Sequence, residues 1–152
     1  MTQPDTRPEL FEISAASHHL ESLETALRAA AQSHGFGVLN VTDLDAKLRE
    51  RGIAYGQACR VYDICQPASA LEALRRQPAV ASLLPCRIAI YEREGELFVS
   101  MVRPTALIPR LAPELSALAA AVELTMIQIL KSTAAASGPI PLDSRSQSHP
   151  QA

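Results

Sequence analysis

The sequence predicts a single α+β domain with a mainly antiparallel sheet covered by helices on one face. Two observations carry this. Strand-like segments cluster between Cys59 and Val102 and end in a tight Glu94-Gly95 turn, while long stretches of helical periodicity flank that cluster on both sides. With 152 residues and 47% hydrophobic content, the chain can bury one good core and has little left for a second.

Residues 1–9 hold two prolines among polar neighbours and are expected to form a flexible arm. Leu10–Ser14 alternates like a short strand. From Ser17, a plausible N-cap, Leu20, Leu23, Leu27, Ala30 and Ala31 trace one face of a helix that Gly35 ends at its left-handed C′ position. Phe36–Val41 is apolar on both parities, as in a strand covered on both faces or lying against a partner. Thr42 to Asp45 has capping-box spacing ahead of a short helix striped by Leu44 and Leu48 and stopped at Gly52.

Cys59–Cys65 reads as the next strand. Pro67 suits the first position of a helix whose stripe is Ala68, Leu71 and Leu74, and Pro78 ends it. The apolar connection from Ala79 to Pro85 is expected to pack down as a turn. Cys86–Arg93 and Glu96–Val102 form a β-hairpin, and Pro104 closes the second strand. Pro109 and Pro113 bracket the run-in to a last helix that starts at Pro113 and is apolar nearly all round, so it predicts burial on both sides. Glu114, Glu123 and Gln128 interrupt that run and argue against a transmembrane span. The domain thus occupies residues 10–131, and residues 132–152, rich in Ser, Pro and Gln, predict a disordered tail.

The formal charge of −2 and a pI near 6.1 lack the basic excess that nucleic acid or an anionic membrane demands, so neither is an expected partner. The first residues carry no apolar secretory segment, which points to the cytoplasm. Three cysteines in such a chain suggest reduced thiols. No phosphate loop, dinucleotide fingerprint or nucleophile elbow occurs, and no cofactor is indicated.

Placing the Cys59–Cys65 and Cys86–Arg93 strands antiparallel sets Cys65 near Cys86. Alternation then puts Val61, Asp63, Ile88, Ile90, Leu97, Val99 and Met101 with them on the helix-covered face. The other face shows Arg60, Tyr62, Arg87, Tyr91, Phe98 and Val102, with Tyr91 and Phe98 as a cross-strand pair. That surface is the expected dimer or ligand face. Cys65, Cys86, Asp63, Gln66 and Pro85 form the candidate ligand or thiol site. Its cysteines are open to several readings: inert core thiols, a reversible disulfide, persulfide chemistry or a shared soft metal ion. Cys59 reads as packing, and the adjacent His18 and His19 point to different sides of a helix.

Four motifs, Gly35-Phe36-Gly37-Val38-Leu39, Tyr62-Asp63-Ile64-Cys65-Gln66-Pro67, Leu83-Leu84-Pro85-Cys86 and Ile90-Tyr91-Glu92, resemble the family of domain of unknown function 302. The likeness runs from about Phe11 to about Leu130. It implies a TBP-like fold, one strand and helix followed by four strands and a long final helix, commonly dimeric, with no settled activity. The family usually has Asn where this chain has Gln66, whose longer amide caps a helix less well.

The three functional readings are a dimeric binding protein with a small-ligand cavity between sheet and final helix, a thiol-redox, sulfur-transfer or soft-metal protein using Cys65 and Cys86, and a purely structural dimer module.

Overall fold

A computed structural model describes residues 2–137, and the rest of the expected tail lies outside the described residues. Five antiparallel strands form one open sheet in the order β1-β5-β4-β3-β2, where β1 is Leu10–Ser14, β2 Gly37–Asp43, β3 Cys59–Cys65, β4 Cys86–Arg93 and β5 Glu96–Val102. The helices are α1 Leu20–Ser33, α2 Leu44–Glu50, α3 Pro67–Arg76, α4 Pro104–Leu111 and α5 Ser116–Ala135. Helices α1 and α5 pack against each other, and their Leu23, Leu27, Met126, Ile129 and Leu130 are buried in one core with Ile64, Ile88, Ile90 and Val99 of the sheet. Each such aliphatic side chain contributes about 1.5–3 kcal/mol on burial.

Several boundaries follow from local hydrogen bonding. The α1 cap is His19 rather than Ser17. Ala16 N is already committed to Ala134 O at 2.8 Å, so the chain enters the helix late, and the Ser17 hydroxyl instead accepts from His19 N. At the other end Gly35 N donates to Gln32 O and Phe36 N to Ala31 O, the Schellman arrangement, with Gly35 at φ +77°. Asp43, the last residue of β2, caps α2 by accepting from Ala46 N, in place of Thr42. The β4–β5 turn has positive φ at both Glu94 and Gly95, the type I′ geometry that matches strand twist.

Four further expectations are corrected. Strand β2 is an edge strand with an irregularity between Val38 and Asn40, and Leu39 there is 63% exposed rather than covered on both faces. In α3 the buried residue is Ala73, whereas Leu71 and Leu74 are exposed; the small side chains at Ala70 and Ala73 let the helix approach the core one residue out of step with its leucines. The prolines before the last helix belong to an extra helix, α4, with Pro104 in its first turn and Pro109 inside it, and Pro113–Leu115 is a 3-10 turn ahead of α5. Helix α5 continues to Ala135 with Thr133 and Ala134 buried, past the expected domain end at 131, and its outer side is not covered: Leu124 is 68% exposed. By length and composition Pro113–Ala135 is apolar enough to cross a membrane.

Candidate functional site

The site grows from the pairing of β3 with β4, in which Ile64 lies opposite Cys86, Tyr62 opposite Ile88 and Asp63 opposite Arg87. That register is one residue away from the expected one, and a one-residue slip exchanges the faces of a whole strand. Tyr62 and Ile64 therefore point into the core, fully buried, while Val61, Asp63 and Cys65 alternate toward the helix-free face. Energetics favour this choice. Two large apolar side chains are buried, and the Asp63 carboxylate escapes an unpaired interior position by accepting from Arg87 Nε at 3.2 Å.

The proposed surface of Arg60, Tyr62, Arg87, Tyr91 and Phe98 is accordingly divided. Arg60 and Tyr62 lie on the helix-covered side. Arg60 is ringed by Glu21 at 2.8 Å, Glu24 at 3.2 Å and Asp43 at 3.4 Å, and the Tyr62 hydroxyl donates to Glu24 at 3.0 Å. Burial, then the Glu24 carboxylate, pushes the Tyr62 phenol well above its ordinary range. Arg87, Tyr91 and Phe98 do occupy the helix-free face, with Tyr91 and Phe98 stacked at 6.4 Å between ring centroids. Phe98 is nevertheless fully buried, for Arg93 lies 4.2 Å above its ring and residues 2–5 are tied across this end of the sheet.

Cys86 follows the Leu84–Pro85 cis peptide and contributes to two adjoining spaces. One is a chamber of about 40 Å³, with room for roughly two or three waters, between the Ile64, Cys65 and Cys86 end of the sheet and Leu118, Ala119 and Val122 of α5. Helix α3 closes its side with Gln66, Ser69, Ala70 and Ala73, the i, i+3, i+4, i+7 face of the helix. The other is a more polar groove of about 320 Å³ bordered by Arg87, Val102, Leu107 and Met126. Leu84, Pro85, Cys86 and Ile108 line both, so they form the wall between chamber and groove.

The three cysteines are free, and Cys65 and Cys86 both line the chamber although alternation directs them from opposite faces. Burial, and then the neighbouring Cys65, pushes the Cys86 thiol up to about 11, which keeps it protonated at neutral pH. Burial and the carboxylates of Asp43 and Asp45 likewise raise Cys59 at the far end of β3. Gln66 occupies the α3 N-cap without a side-chain bond to the helix backbone; its amide oxygen accepts from the Ser69 hydroxyl instead. Among the described residues no group of three or more His, Cys, Asp and Glu is placed to hold a metal ion, and His18 and His19 sit exposed before and at the start of α1.

Sequence reasoning missed Ala70, Ala73, Val80, Ile108 and Leu118 as chamber residues. For α3 the signal is that Gln66, Ser69, Ala70 and Ala73 share one helical face; Ile108 has none, because the sequence predicts no helix where α4 lies.

A family model described as Domain of unknown function DUF302 matches residues 13–133. A solved structure described as an uncharacterized conserved protein DUF302 from Bacillus stearothermophilus superposes with a TM-score of 0.80 at 23% identity, covering 84% of this chain and 99% of that chain. At that identity the likeness speaks for the fold alone. No curated protein matches the chain.

Proposed function

We propose a ligand-binding role for this chain, which belongs to the family described as Domain of unknown function DUF302. The protein is a cytoplasmic homodimer that takes a small, largely apolar ligand at the Cys65 and Cys86 end of its sheet. The observation behind this reading is the shared wall. A small apolar chamber and a larger, more polar groove meet at Leu84, Pro85, Cys86 and Ile108, an arrangement suited to a ligand whose apolar end enters the chamber while its remainder lies in the groove beside Arg87. Dimerisation would use the part of the helix-free face that residues 2–5 leave uncovered, around Val61, Asp63, Arg87 and Ala89. The net charge of −2 supports neither a nucleic acid nor an anionic membrane as partner.

Native mass spectrometry of the protein taken directly from cells tests the ligand. A bound mass that disappears in Ala119→Phe, which fills the chamber, supports the reading; an unliganded chain whose thermal midpoint responds to no apolar compound refutes it. Light scattering at micromolar concentration tests the dimer.

A thiol role is the second reading, favoured by two free cysteines lining one chamber. Oxidation by a low-molecular-weight disulfide, persulfide formation or soft-metal binding would each use Cys65 and Cys86. The protonated state of Cys86 weighs against it as the attacking group. Retention of the ligand mass in Cys65→Ser and Cys86→Ser would leave the thiols without a part in binding, and absence of ligand with an intact dimer would leave a structural module.

A further inference from the structure

Residues 2–5 do not wave free of the sheet. Thr2 N donates to Glu96 Oε2 at 3.1 Å and the Thr2 hydroxyl to Glu94 Oε2 at 2.7 Å. Gln3 O accepts from Arg93 Nη2 at 3.0 Å, and Asp5 N donates to Glu12 Oε1 at 2.7 Å. Three of these four bonds use the backbone of the arm, so what is read is main chain more than side chain. Of the receiving groups, Glu12, Arg93 and Glu96 stand on strands, and Glu94 is an exposed residue of the β4–β5 turn. The Glu12 side chain is 1% exposed, bridges to Arg93 at 2.7 Å and accepts from the Tyr91 hydroxyl, and the Phe98 ring beneath Arg93 is fully buried.

We propose that Glu12, Arg93, Glu94 and Glu96 form a binding site for an extended peptide, and that residues 2–5 are its resident occupant in cis. The ligand class is a partner protein's extended segment offering a hydroxyl residue, a carbonyl one residue later and an N–H two residues beyond that. A carboxylate for the N–H and a guanidinium for the carbonyl give charge-assisted bonds, which are stronger than neutral ones. A tethered occupant competes at an effective concentration on the order of millimolar. A partner therefore displaces it only by adding contacts beyond these four bonds. This site is separate from the chamber and does not depend on any ligand there.

The test uses the full chain carrying Asp5→Pro, which removes the N–H that Glu12 receives while leaving the sheet untouched. A fluorescent, N-acetylated peptide copying residues 2–7 is added and its anisotropy followed. The peptide is expected to bind the Asp5→Pro chain, to bind the wild-type chain at least about tenfold more weakly, and to lose about tenfold or more in affinity when its Asp5 nitrogen is methylated. Introducing Arg93→Lys into the Asp5→Pro chain keeps the charge but loses the two-nitrogen grip, and weakens the peptide similarly. Equal binding to both chains, equal binding of the methylated peptide, or no binding to an Asp5→Pro chain with an unchanged circular dichroism spectrum each overturns the proposal.

Discussion

The backbone of Cys86 pairs with that of Ile64 across β3 and β4, which turns the Cys86 side chain toward the helices and into the wall between chamber and groove. Its burial, with Cys65 beside it, holds the thiol at about 11. Alkylation of Cys86 at pH 7.5 is therefore expected to run well below the rate of a free thiol and to climb until about pH 11. The same shift makes a stability statement. The folded-state value lies above the ordinary 9.0, so this contribution is complete below pH 9 and is lost as pH rises toward 11. Rate against pH, resolved by peptide mass mapping, checks the first; urea midpoints of wild type and Cys86→Ala at pH 8 and pH 10.5 check the second. A Cys86 rate already at its plateau near pH 8 would contradict both.

Gly35→Ala tests the turn that delivers Phe36 to the chamber. A Cβ there would meet nothing nearer than Gln66 Nε2 at 3.8 Å, an ordinary contact, so the cost comes from φ +77° and not from crowding. Loss of about 1 kcal/mol is expected, read as a lower urea midpoint at unchanged m-value. A neutral outcome would mean that the helix end relaxes without its left-handed residue.

Leu27 and Leu124 give opposite expectations for two leucines on the helical layer. Leu27 is fully buried between α1 and the sheet, and Leu27→Ala should cost about 2–5 kcal/mol. Leu124 is 68% exposed on α5, and Leu124→Ala should stay within about 0.5 kcal/mol. Thermal and urea unfolding measure both. A large loss at Leu124 would reveal that the outer side of α5 is covered in solution.

That contrast also marks what the sequence can and cannot tell. Strands β3, β4 and β5 match their expected bounds because each is a short apolar run closed by Gly, Pro or Gln, and the hairpin turn carries its own φ signature. The membership of the DUF302 family and the α+β class were legible for the same reason: they rest on local motifs. Register was not. Val61-Tyr62-Asp63-Ile64-Cys65 is amphipathic in neither parity, and only the three-dimensional cost of burying Asp63, set against the gain from burying Tyr62 and Ile64, selects the face. Helix α5 failed in another way. Its alanines at 117, 120 and 121 read as core by hydropathy, yet small side chains on the outer side of a helix need no cover.

Glu12 supplies a pH test on the opposite face. Burial on its own would raise its carboxyl, but the bonds from Arg93, the Tyr91 hydroxyl and Asp5 N together outweigh that and hold it below the ordinary glutamate value. A depressed folded-state value means a contribution that is present above the ordinary range near 4.5 and lost as pH falls through the lower folded value. Glu12→Gln should therefore cost stability at pH 7, about 1–3 kcal/mol for a charged hydrogen-bonding group replaced by a neutral one. The deficit should shrink as pH is lowered from 5 toward 3, since the wild-type carboxyl becomes neutral there too. The measurement is the difference in urea midpoint between the two chains across that range. A difference that stays constant with pH would show that Glu12 acts through packing alone, and that Arg93 finds its electrostatic partner elsewhere.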